Sequence, residues 1–129
     1  MRVLIVDDDT AFTDFLTMML HSIGHEVAGV VTSGGGDVME AYYKCGPDVV
    51  LMDFMMPQFN GVTAAQQLIL RQPGARVVIM SGIHDTTKLQ KVAASAGALR
   101  VLNKPFTANE LETLLSCLPY APQRPRVRY

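Results

Sequence analysis

Residues 49–52, Val-Val-Leu-Met, form a continuous apolar run that stops abruptly at Asp53. A β-leaning run with no polar alternation reads as a strand buried on both faces, the kind found in parallel sheets with helices packed on each side. An acid at the exit of such a strand stands where open α/β sheets place their ligands, outside the carboxyl ends of the strands. A carboxylate in that position needs partners, and the rest of the chain has to supply them.

Four more strands are expected. Residues 3–6 make the first, ending in Asp7-Asp8-Asp9, and residues 27–31 the second. Residues 49–53 are the third, residues 76–80 the fourth, ending in Ser81-Gly82, and residues 98–102 the fifth, ending in Asn103-Lys104-Pro105. Between them the apolar residues change to helical spacing. Phe12, Phe15, Leu16, Met19, Leu20 and Ile23 mark a first helix that Asp9 or Thr10 can cap and Gly24 stops. Asp37 caps a second helix carrying Val38, Met39, Tyr42 and Cys45, closed by Gly46-Pro47. A loop through Pro57 and Gly61 leads to a third helix over residues 62–71, broken by Pro73-Gly74. Asp85 caps a fourth with Leu89, Val92, Ala93 and Ala96 on its face and Gly97 at its C′ position. Thr107 and Glu110 match a capping box ahead of Leu111, Leu114, Leu115 and Leu118 on a fifth.

Strands alternating with helices close into a parallel sheet, because each parallel connection needs a crossover and crossovers take one hand. The expected fold is α/β: a flavodoxin-like, doubly wound, five-stranded parallel sheet of order 2-1-3-4-5 with five helices. Residues 1–118 form one domain. Residues 119–129 carry Pro119, Pro122, Pro125 and three arginines with no acid, and are expected to be a disordered basic tail.

Composition narrows the class. At 129 residues, 49% hydrophobic and a formal charge of −1, the chain can bury a core and shows no bulk attraction to nucleic acid or anionic membrane. No apolar run reaches the ~18 residues of a membrane span, and no leader precedes the first strand. Cys45 and Cys117 have no metal-ligand spacing and read as reduced thiols in a core. A cytoplasmic location is the expectation.

In the 2-1-3-4-5 order, Asp7, Asp8, Asp53, Ser81 and Lys104 all fall on one edge of the sheet. Carboxylates that converge on one crevice repel unless a cation sits among them. With only oxygen ligands on offer, the cation should be hard, Mg²⁺ with Mn²⁺ as the substitute. Lys104 adds a second positive charge and Ser81 a hydroxyl. Such a set suits a group with several anionic oxygens, and phosphoryl transfer is mostly positioning and charge neutralisation. Asp53 is then a candidate nucleophile that forms an aspartyl phosphate. Each of these residues alone has a plainer explanation as a helix cap, a turn residue or a solvated charge; their joint placement at four strand ends is the argument.

The string Leu4-Ile5-Val6-Asp7-Asp8-Asp9, residues 47–57 with Gly61, Ser81-Gly82, and Gly97-Ala98 leading to Lys104-Pro105-Phe106 resemble the CheY-like receiver domain of bacterial two-component response regulators. The likeness runs from Arg2 to about Leu118. It implies that Asp53 is the phosphoacceptor, that Asp8 and Asp53 are Mg²⁺ ligands with the backbone carbonyl of Met55, and that Asp7 acts partly through water. It also implies that Ser81 is the switch hydroxyl and Lys104 the phosphate-pairing lysine. The phosphoryl donor would be a phosphohistidine on a sensor histidine kinase or a histidine phosphotransfer protein. The output partner is not legible, and nucleic acid enters only if an effector domain accompanies this one.

One position departs from the pattern. Three residues before the lysine the family usually carries Tyr or Phe, and here Val101 stands. Valine has one side-chain torsion and little volume to move, so it cannot serve as an aromatic lever. Signalling is then expected through the 81–85 loop, or the domain is a phosphate relay or sink. Met55 and Ile83, two residues beyond Asp53 and Ser81, should flank the phosphoryl group, and neither apolar side chain can orient an attacking water. Slow self-hydrolysis follows.

Other classes fit less well. A haloacid-dehalogenase-like phosphatase also uses Asp, Ser or Thr, Lys and Mg²⁺, but Ala11 occupies the last place of its Asp-x-Asp-x-Thr/Val motif and only Glu110 and Glu112 follow the lysine. A flavin-binding module would need a phosphate cradle where three acids stand. A receiver-like interaction module that is never phosphorylated is the remaining alternative. The expected protein is not a stand-alone enzyme.

Overall fold

A computed structural model describes residues 1–33, 36–56, 59–82 and 86–119. The main strands are β1 (Arg2–Val6), β2 (Glu26–Val31), β3 (Val49–Asp53), β6 (Val77–Ser81) and β7 (Arg100–Asn103), with a two-residue pair, β4 (Met55–Met56) and β5 (Phe59–Asn60), between β3 and the third helix. The helices are α1 (Thr10–Ser22), α2 (Gly36–Cys45), α3 (Gly61–Arg71), α4 (Thr86–Ala96) and α5 (Ala108–Ser116). The main sheet runs β2-β1-β3-β6-β7, all parallel. Counting its strands alone, this is the expected 2-1-3-4-5 order. The antiparallel β4–β5 pair was not expected; two residues per strand give no periodicity to read.

Period-two alternation divides the core. Val3, Ile5, Val49, Leu51, Val78, Met80 and Leu102 face Leu16, Met19 and Leu20 of α1 and Leu111 and Leu115 of α5. The intervening residues, Leu4, Val6, Val50, Met52, Val77 and Ile79, face Val38 of α2, Ala64, Ala65 and Leu68 of α3 and Ala93 of α4. Every residue of β3 and β6 is buried, which is why their sequences carry no polar alternation. Continued past the strand ends, the alternation directs Asp7, Asp53 and Lys104 toward the α1/α5 side.

Local signals set most boundaries. Asp9, rather than Thr10, caps α1, its Oδ1 accepting from the Phe12 N–H at 3.1 Å. Thr107 caps α5 through the Glu110 N–H at 3.1 Å, and its hydroxyl also reaches Glu110 Oε1 at 3.2 Å. Gly97 ends α4 at φ +95°, a conformation that penalises any Cβ.

Some expectations need correction. Phe15 is 56% exposed, because it lies about 100° around the helix from Leu16, at the rim of the buried stripe. Val92 of α4 is likewise 44% exposed. Asp37 is not the α2 cap: the helix begins one residue earlier, at Gly36, and the Asp37 carboxylate accepts from the Ser33 hydroxyl. Both thiols are free, but only Cys45, half-buried, packs against the core, whereas Cys117 is exposed. Pro57, Ile83, the Asp85 cap and residues 120–129 lie outside the described residues. No described helix is long and apolar enough to cross a membrane.

Gly61 binds the fold to the end of β3. A Cβ there would stand 2.0 Å from the Asp53 carbonyl oxygen and 2.9 Å from its carbon, while the Gly61 N–H donates to Phe54 O at 2.9 Å. Only a hydrogen fits between α3 and the chain leaving β3. Gly61→Ala is therefore expected to cost about 2 kcal/mol, the scale of overpacking against rigid backbone. Urea denaturation of the two proteins checks this; equal midpoints would contradict it.

Candidate functional site

Three strand ends deliver acids and a lysine to one point. β1 and β3 are neighbours, and the register pairs Val6 with Met52, so Asp7 and Asp53 are the next residues out on adjacent strands. β6 and β7 follow on the other side, with Asp53 opposite Met80 and Ser81 opposite Asn103. Lys104 leaves β7 beside Ser81, its N–H donating to the Ser81 carbonyl at 2.7 Å. Asp8 stands beside Asp7 at the head of α1.

The side chains close the arrangement. Lys104 Nζ donates to Asp7 Oδ2 at 2.7 Å and to Asp53 Oδ1 at 3.1 Å. The free Asp7 oxygen accepts from the Asp9 N–H at 3.0 Å, which ties the first acid to the turn that caps α1. Asp7, Asp53 and Ser81 are buried, whereas Asp8 is exposed. One carboxylate oxygen from each of Asp7, Asp8 and Asp53 lies within 4.8 Å of the others. An all-oxygen set this close fits a hard divalent cation by the chemistry of its donors.

The electrostatics follow from burial and sign. Burial is the largest influence on Asp53 and pushes its carboxyl above the ordinary value; Lys104 pulls it back, while Asp7 and Asp8 push it up again. Burial opposes the charge on Lys104, but the Asp7 hydrogen bond and the Asp53 and Asp7 charges outweigh it and raise the ammonium above its usual range. Among the described residues, Lys104 pairs with two of the three acids, Asp7 and Asp53, so carboxylates outnumber the ammonium at this point.

The structure brings together Asp7, Asp8, Asp53 and Lys104 and sets Ser81 on the neighbouring strand end. Met55 lies on β4 and is 66% exposed. Val101 is on β7 with the opposite alternation to Leu102, packed between the α2/α3/α4 core and the Val62–Leu89–Ala96 cluster. It lines a surface groove of about 310 Å³ with Gln90, Ala93, Ala94, Leu99 and Arg100. Sequence reasoning missed Phe12 as a site residue: its ring centroid lies 4.2 Å from Lys104 Nζ. Its place in the apolar stripe of α1 concealed that second contact.

Residues 3–116 match the family model of the response regulator receiver domain. The chain is 35% identical over 119 residues to the chemotaxis protein CheY of Thermotoga maritima, covering 89% of this chain and 94% of that one. It is 31% identical over 110 residues to the DNA-binding response regulator MtrA of Mycolicibacterium paratuberculosis, covering 85% of this chain but only 47% of the relative. Among solved structures, it is similar to the CheX–CheY–BeF3–Mg²⁺ complex from Borrelia burgdorferi, at 27% identity and a TM-score of 0.79, covering 89% of this chain and 87% of that one. The chain belongs to the response regulator receiver family of two-component signalling.

Proposed function

We propose that this receiver domain accepts a phosphoryl group on Asp53 from a phosphohistidine of a sensor histidine kinase or histidine phosphotransfer protein. The observation that carries the proposal is Lys104 Nζ bridging Asp7 and Asp53 across strands 97 and 51 residues apart in sequence. Such long-range convergence of a cation on two acids has no structural need, since a buried ion pair is weak support for stability.

An Asp53 oxygen forms the new bond to phosphorus as the donor's phosphorus–nitrogen bond breaks, and the pair of electrons stays with the imidazole. Asp8, Asp53 and the Met55 backbone carbonyl would hold Mg²⁺, with Asp7 acting partly through water, and Mn²⁺ could substitute. The ion supplies charge neutralisation for the phosphoryl oxygens. Lys104 would transfer its hydrogen bond from Asp53 Oδ1 to a phosphoryl oxygen, and the Ser81 hydroxyl would serve another. The domain assists its own phosphorylation and dephosphorylation and is not a stand-alone enzyme. It would work in the cytoplasm, where the kinase presents its phosphohistidine, over residues 1–118.

Val101 cannot be an aromatic lever, so the output is proposed to pass through the 81–85 loop to an as yet unidentified partner, or to be a phosphate relay or sink. Met55 and Ile83, both apolar, would leave an attacking water without a hydrogen-bonding guide.

Acetyl phosphate with Mg²⁺ should add one phosphoryl group by intact mass, and the adduct should be lost in Asp53→Asn and on chelation of the metal. Absence of any adduct would favour a receiver that only binds partners; steady release of phosphate from many substrates would favour a phosphatase. Met55→Asn should shorten the lifetime of the phosphorylated protein several-fold, which loss of the mass adduct over time measures. Without metal, Asp53→Asn should raise the thermal midpoint at neutral pH by a few degrees. An acid whose carboxyl is raised by folding takes up protons in the native state, so native stability falls as pH climbs from the ordinary carboxylate value through the higher native one. The advantage of the variant should therefore grow with pH across that window and vanish below it; a pH-independent difference in calorimetry would contradict this.

A further inference from the structure

Phe12 lies on the first turn of α1, four residues after Asp8. Its ring touches two residues of the loop that follows β7. The centroid is 4.2 Å from Lys104 Nζ, and the ring meets Phe106 edge to face at 5.9 Å and 88°. Phe106 is buried in the core beneath α1 and α5, so the Phe12 ring is backed by packed apolar side chains and faces the ammonium.

An ammonium has three N–H donors and no acceptor. Two of those on Lys104 are taken by Asp7 Oδ2 and Asp53 Oδ1. The electron-rich face of the Phe12 ring is a third partner for the same cation, in a site where the lysine side chain is only 21% exposed and water has limited access. We infer that Phe12 is a positioning residue for the Lys104 ammonium, holding it in reach of the group carried by Asp53. This rests on the phosphoacceptor function proposed above.

The physical need comes from lysine itself. Its four-carbon stem is flexible and its head is a strongly hydrated point charge, so nothing in the side chain fixes where the ammonium sits. When a phosphoryl group occupies Asp53, the bond to Asp53 Oδ1 has to be exchanged for one to a phosphoryl oxygen. A hydrogen bond is lost over a fraction of an ångström, whereas attraction to an aromatic face acts within about 6 Å of the centroid. The ring therefore keeps hold of the cation during the exchange. Leucine would fill much of the same space but offers no such face.

Beryllofluoride with Mg²⁺, a mimic of the phosphoryl group, tests this by calorimetric titration of the wild type, Phe12→Leu, Phe12→Tyr, Lys104→Met and the Phe12→Leu/Lys104→Met double variant. Phe12→Leu should weaken binding about three- to tenfold, the range of a partly desolvated cation–π contact, and Phe12→Tyr should restore it. On the Lys104→Met background Phe12→Leu should cost nothing further, because no cation remains to be held. In the metal-free protein, the Lys104 ε-methylene protons should show an upfield ring-current shift by NMR that disappears in Phe12→Leu. Wild-type protein that binds no beryllofluoride overturns the phosphoacceptor function and the Phe12 role with it. Wild-type binding matched by an equally tight Phe12→Leu, an equal loss on both Lys104 backgrounds, or an unshifted Lys104 signal overturns the Phe12 role alone.

Discussion

Three carboxylates meet where one ammonium can neutralise only part of their charge. Asp7, Asp8 and Asp53 come within 4.8 Å of one another through their oxygens, and Lys104 is the base hydrogen-bonded to two of them. Like charges held this close in a half-buried crevice disfavour one another, and burial compounds the effect on Asp53. The fold accepts that cost because the acids stand on adjacent parallel strands whose positions are fixed by the core beneath them. Opposite charge then becomes the natural ligand. A divalent cation is proposed here because it supplies the positive charge the acids lack, and with Lys104 it would let the site hold an anionic phosphoryl group.

The sheet performs the positioning. Alternation along β1, β3 and β7 sends Asp7, Asp53 and Lys104 to one side, the side covered by α1 and α5. The two helices are therefore part of the site's surroundings rather than distant scaffold: α1 brings Asp9 to cap itself and to bind Asp7, and it brings Phe12 against Lys104. The opposite face, packed on α2, α3 and α4, carries Val101. Asp7, Asp53 and Lys104 thus continue one face of the sheet, while Ser81, in step with Val77 and Ile79, continues the face that carries Val101. The small β-branched side chain of Val101 offers no large moving part, and the proposed output therefore runs through the loop after β6.

Much of this was readable in the chain. The unbroken apolar runs of β3 and β6 announced strands buried on both faces, and the fold class followed from their alternation with helical segments. Asp9, Thr107 and Gly97 acted as their local chemistry requires, because caps and left-handed stops depend on a few neighbouring residues. Phe15, Val92 and Asp37 did not follow the expectation. For the first two, an apolar residue at the rim of a stripe is indistinguishable in sequence from one at its centre. For Asp37, the helix start shifted by one residue, within the range over which helix ends vary. The β4–β5 pair was too short to leave a pattern.

The sequence by itself determined which residues could carry the chemistry: acids after the first and third strands, a hydroxyl after the fourth, a lysine after the fifth. It did so because residue type and strand-end position are local properties, and parallel topology sends every such end to the same edge. Only the tertiary structure decided the pairings: that Lys104 bridges Asp7 and Asp53, that Gly61 lies against the Asp53 carbonyl, and that Phe12 serves the lysine as well as the core. These contacts join residues many tens of positions apart, apart from Gly61 and its near neighbour Asp53. They are set by register, side-chain direction and distance, and those exist only once the strands are laid beside one another.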